Sequence, residues 1–588
     1  MADSPLLKSE GPVGVTVRTN GAVIADSVAV LSVRVRNEIG RIPEALVVIE
    51  AGSIAESDFP EADGDTFKVG SEISVAAFYG SGDETELFKG LIVAARMRIR
   101  GGRGPRLELT CRDKAAKMTV ARKSALYEAK KDSDVVTALI SEAGLTADVA
   151  ATAGEARDQV RHDCTDWDFL RALADRNGQI LTVWDGKITC KPPDTSTAAV
   201  LTLTLGIDII EFDAQIDTQG LIGTASGKSW DDSAVTGIEA SGGALPATTW
   251  GDLTSATLAG VLGDRAHLFT APLRIEAAEI KAMADARLMK SAMSAVQGTC
   301  AFQGSGLAKP GAMLELTGVG DRFGGSAFVS GVLHRIGEGS WITEATLGLP
   351  DGWLSDSAGL AGAGAAGITA PIHGVQVATV VKIDADPDSR ARIQVELPMI
   401  GETPAKVWAR YAQPYATKSA GIQFMPEIGD EVLVAFLNAD PNGPVVIGSV
   451  HNGTNAQANA PDETNTLKTI LTNAKLKIQF DDDKKIITVE TPGGHALVMD
   501  DDAKAITMTD STGNKIEMSE SGIAITSPKD ISITATGNVD VTATGDASVG
   551  GANVTAEADM QLTAKGGAGA EFSAGGQTVV KGAMVMIN

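Results

Sequence analysis

Alternation of apolar and polar residues dominates this chain, and its character changes along the length. Within residues 1–110, "VAVLSVRVRN" and "LIVAARMRIRGGRGPRLELTCRD" alternate at period two, with Gly and Pro between them, which predicts half-buried strands. The period then shifts towards 3.6. "KKDSDVVTALISEAGL" predicts a helix with Ser133 or Asp134 as N-cap and Gly144 as its stop. "CTDWDFLRALADRNGQ" predicts another, with Thr165 as N-cap, Asp168 three residues on and Gly178 as the terminal glycine. Strands return in "ILTVWDGKITCKP" and "LTLTLGIDIIEFDAQ". A longer helix follows over "IEAAEIKAMADARLMKSAMSAVQG", expected to end at Gly298. Residues 1–357 therefore read as two barrel-like β units with helical insertions.

Residues 358–370 contain "AGLAGAGAAG", a linker by composition. Residues 371–453 hold predicted strands Val375–Ile383, Arg392–Leu397, Val407–Arg410, Glu431–Phe436 and Val445–Val450, with turns such as "DADPDSR" between them. Five short strands in so few residues predict a small closed barrel of the OB type. After a connector, 454–466, a ladder runs over 467–588. Its early turns are acidic or glycine-rich ("FDDDKK", "TPGG", "MDDDAK", "STGNK"), and its later part settles to a period of eight. Ile523, Ile531 and Val539 align, as do Ile525, Ile533 and Val541, and Val554 with Leu562. A fixed short period of β-type residues predicts a β-solenoid or fibrous β-prism. The period leaves the partners open: one chain coiling on itself, or three chains wound together. Either arrangement removes the lateral edges of an open sheet.

Composition sharpens this picture. Only 4% of the 588 residues are aromatic, and none of the seven Trp lies beyond Trp408. A narrow prism interior admits small and β-branched side chains, which accounts for the asymmetry. The net charge of −25 disfavours nucleic acid and anionic membrane surfaces as partners. The four Cys are widely spaced, which argues against a disulfide framework and for reduced thiols. "MADSPLLKSEG" has no basic or apolar leader, and no apolar run reaches membrane-spanning length, so the expectation is cytoplasmic synthesis without a signal peptide or a stable membrane anchor.

Two segments carry a family resemblance. "GIQFMPEIGDEVLVAF" and "DPNGPVVIGSVHNG", followed directly by the β-ladder, resemble the OB signature of VgrG proteins, the trimeric spikes of type VI secretion and related extracellular contractile injection systems. "RDKAAKMTVARKSALYEAKKDSD" and "CTDWDFLRALADRNG" are similar to the hub of the Rhs element Vgr branch, and "VVKGAMVMIN" to the end of such spikes. The resemblance implies a mainly β chain: phage-hub-like barrels, an OB-fold barrel and an intertwined triple-stranded β-helix over 467–588. It also implies a homotrimer that adapts a sixfold tube to a threefold needle, as in the spike–hub complex of phage tails. About 15 strands stacked roughly 4.8 Å apart give a needle about 70 Å long. Implied partners are inner tube and baseplate proteins, effector cargo and a PAAR-type cap. The particle would be assembled in the bacterial cytoplasm and then ejected. A tailed-phage baseplate spike is the alternative within this group.

The resemblance also sets expectations of absence. Residues 454–466 are too few for the lysozyme domain found in some phage spikes, and the chain stops with the ladder, where some relatives carry an effector. The last His, His495, is far from the C-terminus, so a histidine iron site at the tip is not expected. No catalytic residue, metal or cofactor is expected, and the chain is read as a structural protein rather than an enzyme. His162 and Cys164 lack an orienting third group for nucleophilic chemistry. "FDDDKK" and "MDDDAK" do not follow a calcium-loop pattern. "RIRGGRGPR" (98–106) is read as a hairpin, with an anion or acidic surface as its candidate ligand. A polysaccharide-active solenoid would need aromatic platforms and paired carboxylates, yet the ladder has only Phe480 and Phe572. The expected contact site is the tip, where Met584, Val585, Met586, Ile587 and Asn588 would seat the cap.

Overall fold

The computed structural model describes residues 3–587 except 102, 232–233, 248–249, 264, 272–273, 357–364, 366–370 and 401–403. The expected linker, apart from Ala365, and Asn588 lie outside the described residues. The chain divides into two units, 1–448 and 449–588.

The first unit is built on one 13-stranded sheet. The two expected barrel units are lobes of this sheet, each with its own core. The N-terminal lobe runs through Val30–Glu38, Glu44–Glu50, Arg103–Arg112, Thr85–Arg100, Glu72–Tyr79 and Val13–Thr19. Along Glu44–Glu50 every second residue is buried, because a pleated strand sends alternate side chains to opposite faces. Val33, Val47, Ile49, Val75 and Leu109 fill that core. The second lobe gathers Leu203, Phe302, Leu314, Val329 and Leu347.

The lobes join where Gly325–Gly337 pairs antiparallel with Val30–Glu38, from Gly331 opposite Glu38 to Gly337 opposite Ser32. This shared strand is buried over eight successive positions, 327–334, since both its faces are covered. The join also brings Trp341 onto Tyr79, rings stacked at 5.3 Å.

The helices largely follow the sequence. Asp166–Arg176 is capped by Thr165, whose hydroxyl oxygen accepts the Asp168 N–H at 3.0 Å, and Gly178 takes φ +65° beyond its end. The other short helix, Asp132–Glu142, starts earlier than expected, with Lys131 as N-cap. Asp134 is its N3 residue and accepts the Lys131 N–H at 3.2 Å. Asp132, in the first turn, binds the second helix instead, accepting from Arg176 Nε at 2.6 Å and Asn177 Nδ2 at 2.7 Å. Burial alone would raise the Asp132 pKa, but the Arg176 guanidinium and the Asn177 amide outweigh it and hold the carboxyl below its ordinary value.

A depressed carboxyl stabilises the fold above the ordinary carboxylate range and loses that contribution as pH falls through the depressed value. Asp132→Asn leaves Arg176 without its anion and is expected to cost this helical insertion about 3 kcal/mol. Chemical denaturation at neutral pH checks the loss, and the gap from the unsubstituted chain should narrow in acid.

The long helix is Ala277–Ser294, not a helix running to Gly298. Gly298 lies in the strand Val296–Gln303, where a Cβ would stand 2.4 Å from the Asp213 carbonyl oxygen. The glycine is there for close strand approach rather than helix termination.

The OB segment is a closed barrel of Gln376–Lys382, Ile393–Leu397, Ala405–Tyr411, Pro444–Ser449 and Glu431–Phe436. Small and β-branched side chains fill it, among them Ala378, Val380, Val395, Ala409, Val432, Val434 and Val446. Among the described residues no helix is long and apolar enough to cross a membrane.

Candidate functional site

In the second unit the ladder shows two regimes. Leu467–Leu471, Lys477–Asp481, Ile486–Glu490, Ala496–Asp500, Ala505–Thr509, Lys515–Ser519 and Gly522–Thr526 each pair antiparallel with the next. Intertwined winding is thus not the arrangement of 467–526, which folds back on itself within one chain. The reason lies in the turns. Lys475, Lys485, Lys504, Gly494 and Gly513 adopt positive φ, and aspartates at the turn starts accept backbone N–H groups. Asp481 accepts from Lys484 N at 3.0 Å and Asp500 from Ala503 N at 2.9 Å, so the carboxylates considered for calcium shape reversals. Asp510 does the same for Thr512 and Asn514, and the Asn514 side-chain amide, foremost among its donors, holds its carboxyl well below the usual range.

Register makes one face of this meander apolar. One column runs Ile470, Ile478, Val489, Leu497, Met508, Ile516, Ile525. The other runs Phe480, Ile487, Met499, Ile506, Met518, Ile523. In the single chain these side chains stay open to solvent, from 37% for Ile487 to 73% for Ile523, with Leu497 half-buried. Thr469, Gln479, Thr488, Glu517 and Lys515 alternate with them on the opposite face. A contiguous apolar stripe across seven strands marks an interface.

Beyond Thr526 the pairing ends. Residues 528–587 are exposed throughout and form no strand, and among the described residues their backbone groups make no backbone–backbone hydrogen bond to another part of the chain. Yet they are regularly folded: bends recur at 528–529, 536–537, 544–545, 552–553, 559–560, 567–568, 575–576 and 583–584, eight residues apart except for one step of seven. A single chain coiling on itself would pair each segment with one further along, and none does. Backbone N–H and C=O groups left unpaired in such a regular segment call for partners outside the chain.

At the end of this segment Met584, Val585, Met586 and Ile587 are 80%, 51%, 77% and 92% exposed. Asn588 lies outside the described residues. The sequence reading names the tip residues as its contact site and misses the two-column face. Strand starts about ten residues apart in 467–526, against eight afterwards, are the signal that separates the regimes.

Cys164 is buried, and burial pushes its thiol pKa up, away from nucleophilic use. Cys111, Cys190 and Cys300 are pushed up to about 12 for the same reason. Of His162 only the backbone lies within the description, in the strand Arg157–Thr165. "RIRGGRGPR" forms a hairpin closing between Arg100 and Arg103, as expected.

Comparison with known proteins adds independent findings. The description "Type VI secretion system/phage-baseplate injector OB domain" matches residues 376–451. "Phage baseplate V C-terminal trimerisation domain" matches 486–547, which straddles the two regimes of the ladder. The actin cross-linking toxin VgrG1 of Vibrio cholerae is 32% identical over 107 residues, 17% of this chain and 10% of that protein. The type VI secretion spike protein VgrG1a of Pseudomonas aeruginosa is 44% identical over 45 residues, 8% of this chain and 7% of that protein. The matched stretch thus spans a tenth or less of the length of these relatives. A tail protein from Neisseria meningitidis aligns over 59% of this chain and 99% of its own, with 15% identity and a TM-score of 0.43. The Alg8 N-terminal domain description matches residues 9–338, more than half of the chain. The chain therefore belongs to the family with the Alg8 N-terminal domain, and its injector OB and trimerisation domains make it a VgrG-like spike protein.

Proposed function

We propose that this chain is the structural spike of a contractile injection system and works as a homotrimer. One observation carries the reading: the shaft has an apolar face and a regular backbone that a single chain leaves without partners. Three copies supply both. Three meanders turn their two-column faces inward and close a three-sided prism over 467–526. Below it, the three tails wind around one another, each segment pairing with those of the other two chains. The shaft then has no lateral edge and no soft apolar seam, which is what pushing through an envelope requires.

The role is mechanical rather than catalytic. The hub adapts a sixfold tube to the threefold shaft and contacts inner tube and baseplate proteins. The tip residues Met584, Val585, Met586 and Ile587, with Asn588, seat a PAAR-type cap, and effector cargo travels with the spike. Assembly takes place in the bacterial cytoplasm, and contraction carries the spike out of the cell. The test is to label the chain in purified particles and to remove it genetically. The label should lie at the leading end of the inner tube, and particles without the chain should fail to deliver. A label elsewhere, or undiminished delivery without the chain, rejects the assignment.

A further inference from the structure

The N-terminal lobe carries two opposite charge clusters that do not meet within the chain. In the hairpin Thr85–Arg100 and Arg103–Arg112, register places Arg96 opposite Glu108 and Arg98 opposite Arg106, so alternation lines these side chains along one face with Arg100. Glu108 binds Arg98 at 3.0 Å. Among the described residues the guanidinium groups of Arg96, Arg100 and Arg106 have no ion-pair partner, in a chain of net charge −25.

The other cluster lies in residues 56–65, where Glu56, Asp58, Glu61, Asp63 and Asp65 occur with no basic residue among them. Among the described residues only Asp65 of these has an ion pair, with Lys68 at 3.5 Å, and the Glu61 Oε2 atom is buried without a hydrogen-bond partner. Three guanidinium groups and four carboxylates on one lobe thus form no ion pair among the described residues, although Glu50 lies opposite Arg106 and Glu108 opposite Arg96 in register.

We propose that the arginine hairpin of one copy docks on the acidic segment 56–65 of the next copy, joining the hubs by a ring of head-to-tail ion pairs. The inference rests on the trimer reading. Two different patches on one chain make a heterologous contact, and such a contact closes when the rotation between copies returns to the start, as it does in a threefold ring. Arginine suits this role, since its planar fork binds carboxylates through two parallel hydrogen bonds. The partner is a second copy rather than a foreign acidic surface because the complementary charge is present on this chain and is left without ion pairs of its own apart from Asp65 among the described residues.

The test uses the full chain with Arg100→Cys and Asp63→Cys together. All four native cysteines are buried and should not compete. Mild oxidation with copper–phenanthroline should give covalent dimers and trimers on a non-reducing gel for the double variant, and none for either single variant. Adding Arg96→Glu and Arg106→Glu should lower that yield several-fold. A three-copy mass in solution with no cross-link, with a bond closed inside one chain, or with equal cross-linking in Arg100→Cys alone overturns the docking while leaving the trimer intact. A one-copy mass overturns the trimer reading, and the docking with it.

Discussion

Met508→Asp should break the shaft. Met508 lies in an apolar column between Leu497 and Ile516. In the closed prism the substitution puts three carboxylates at one level of a narrow, dry interior, close together and without counter-charges. Each buried unpaired charge costs several kcal/mol, or takes up a proton to escape that cost. The variant is expected to lose resistance to denaturant and to dissociate at concentrations where the unsubstituted protein remains assembled. Thr509→Asp is the control: it lies one residue away on the polar face, opposite Lys515, and should change stability by no more than about 0.5 kcal/mol. The comparison is made by solution mass across a denaturant series. Equal behaviour of the two variants would mean that the apolar face is not an interface.

Deletion of residues 584–588 should abolish cap binding and leave the trimer whole. Met584, Met586 and Ile587 are more exposed than any side chain of the meander face, and three copies of them would converge at one end of the shaft. The rest of the tail keeps its eight-residue bends and its inter-chain pairing. Hot-spot energetics concentrate binding in a few buried apolar anchors, so removing all of them should weaken capture of a PAAR-type cap by at least a hundredfold. A pull-down or calorimetric titration with a purified cap measures this. Unchanged affinity places the cap site elsewhere, and loss of the trimer assigns these residues to assembly rather than docking.

The parts of the fold that repeat were the most legible in the sequence. Period-two alternation located the OB strands to within one or two residues at each end, since alternation identifies a strand while turn geometry sets its limits. Thr165, Asp168 and Gly178 marked their helix because capping chemistry is local. Three features stayed hidden for physical reasons. The strand Gly325–Gly337 has no alternation, since both its faces are buried, so the fusion of the lobes into one sheet left no period to read. Gly298 resembled a helix stop, but its role depends on Asp213, a contact distant in sequence. The ladder's two regimes share apolar alternation and differ in turn chemistry, where positive-φ lysines and glycines reverse the chain only above Ser527. Of the candidate site, the tip was visible as composition, whereas the apolar face emerged only once register placed Met499 beside Ile487 and Met508 beside Leu497.

The central claim is that the shaft is completed by two further copies of the same chain. The mass of the full-length protein in solution, by sedimentation or light scattering at neutral pH, tests it most directly. The account predicts a single species of three times the 60.5 kDa chain mass, persisting on dilution. A species of one chain mass that retains its β structure would contradict it, for residues 528–587 would then hold their form without backbone partners.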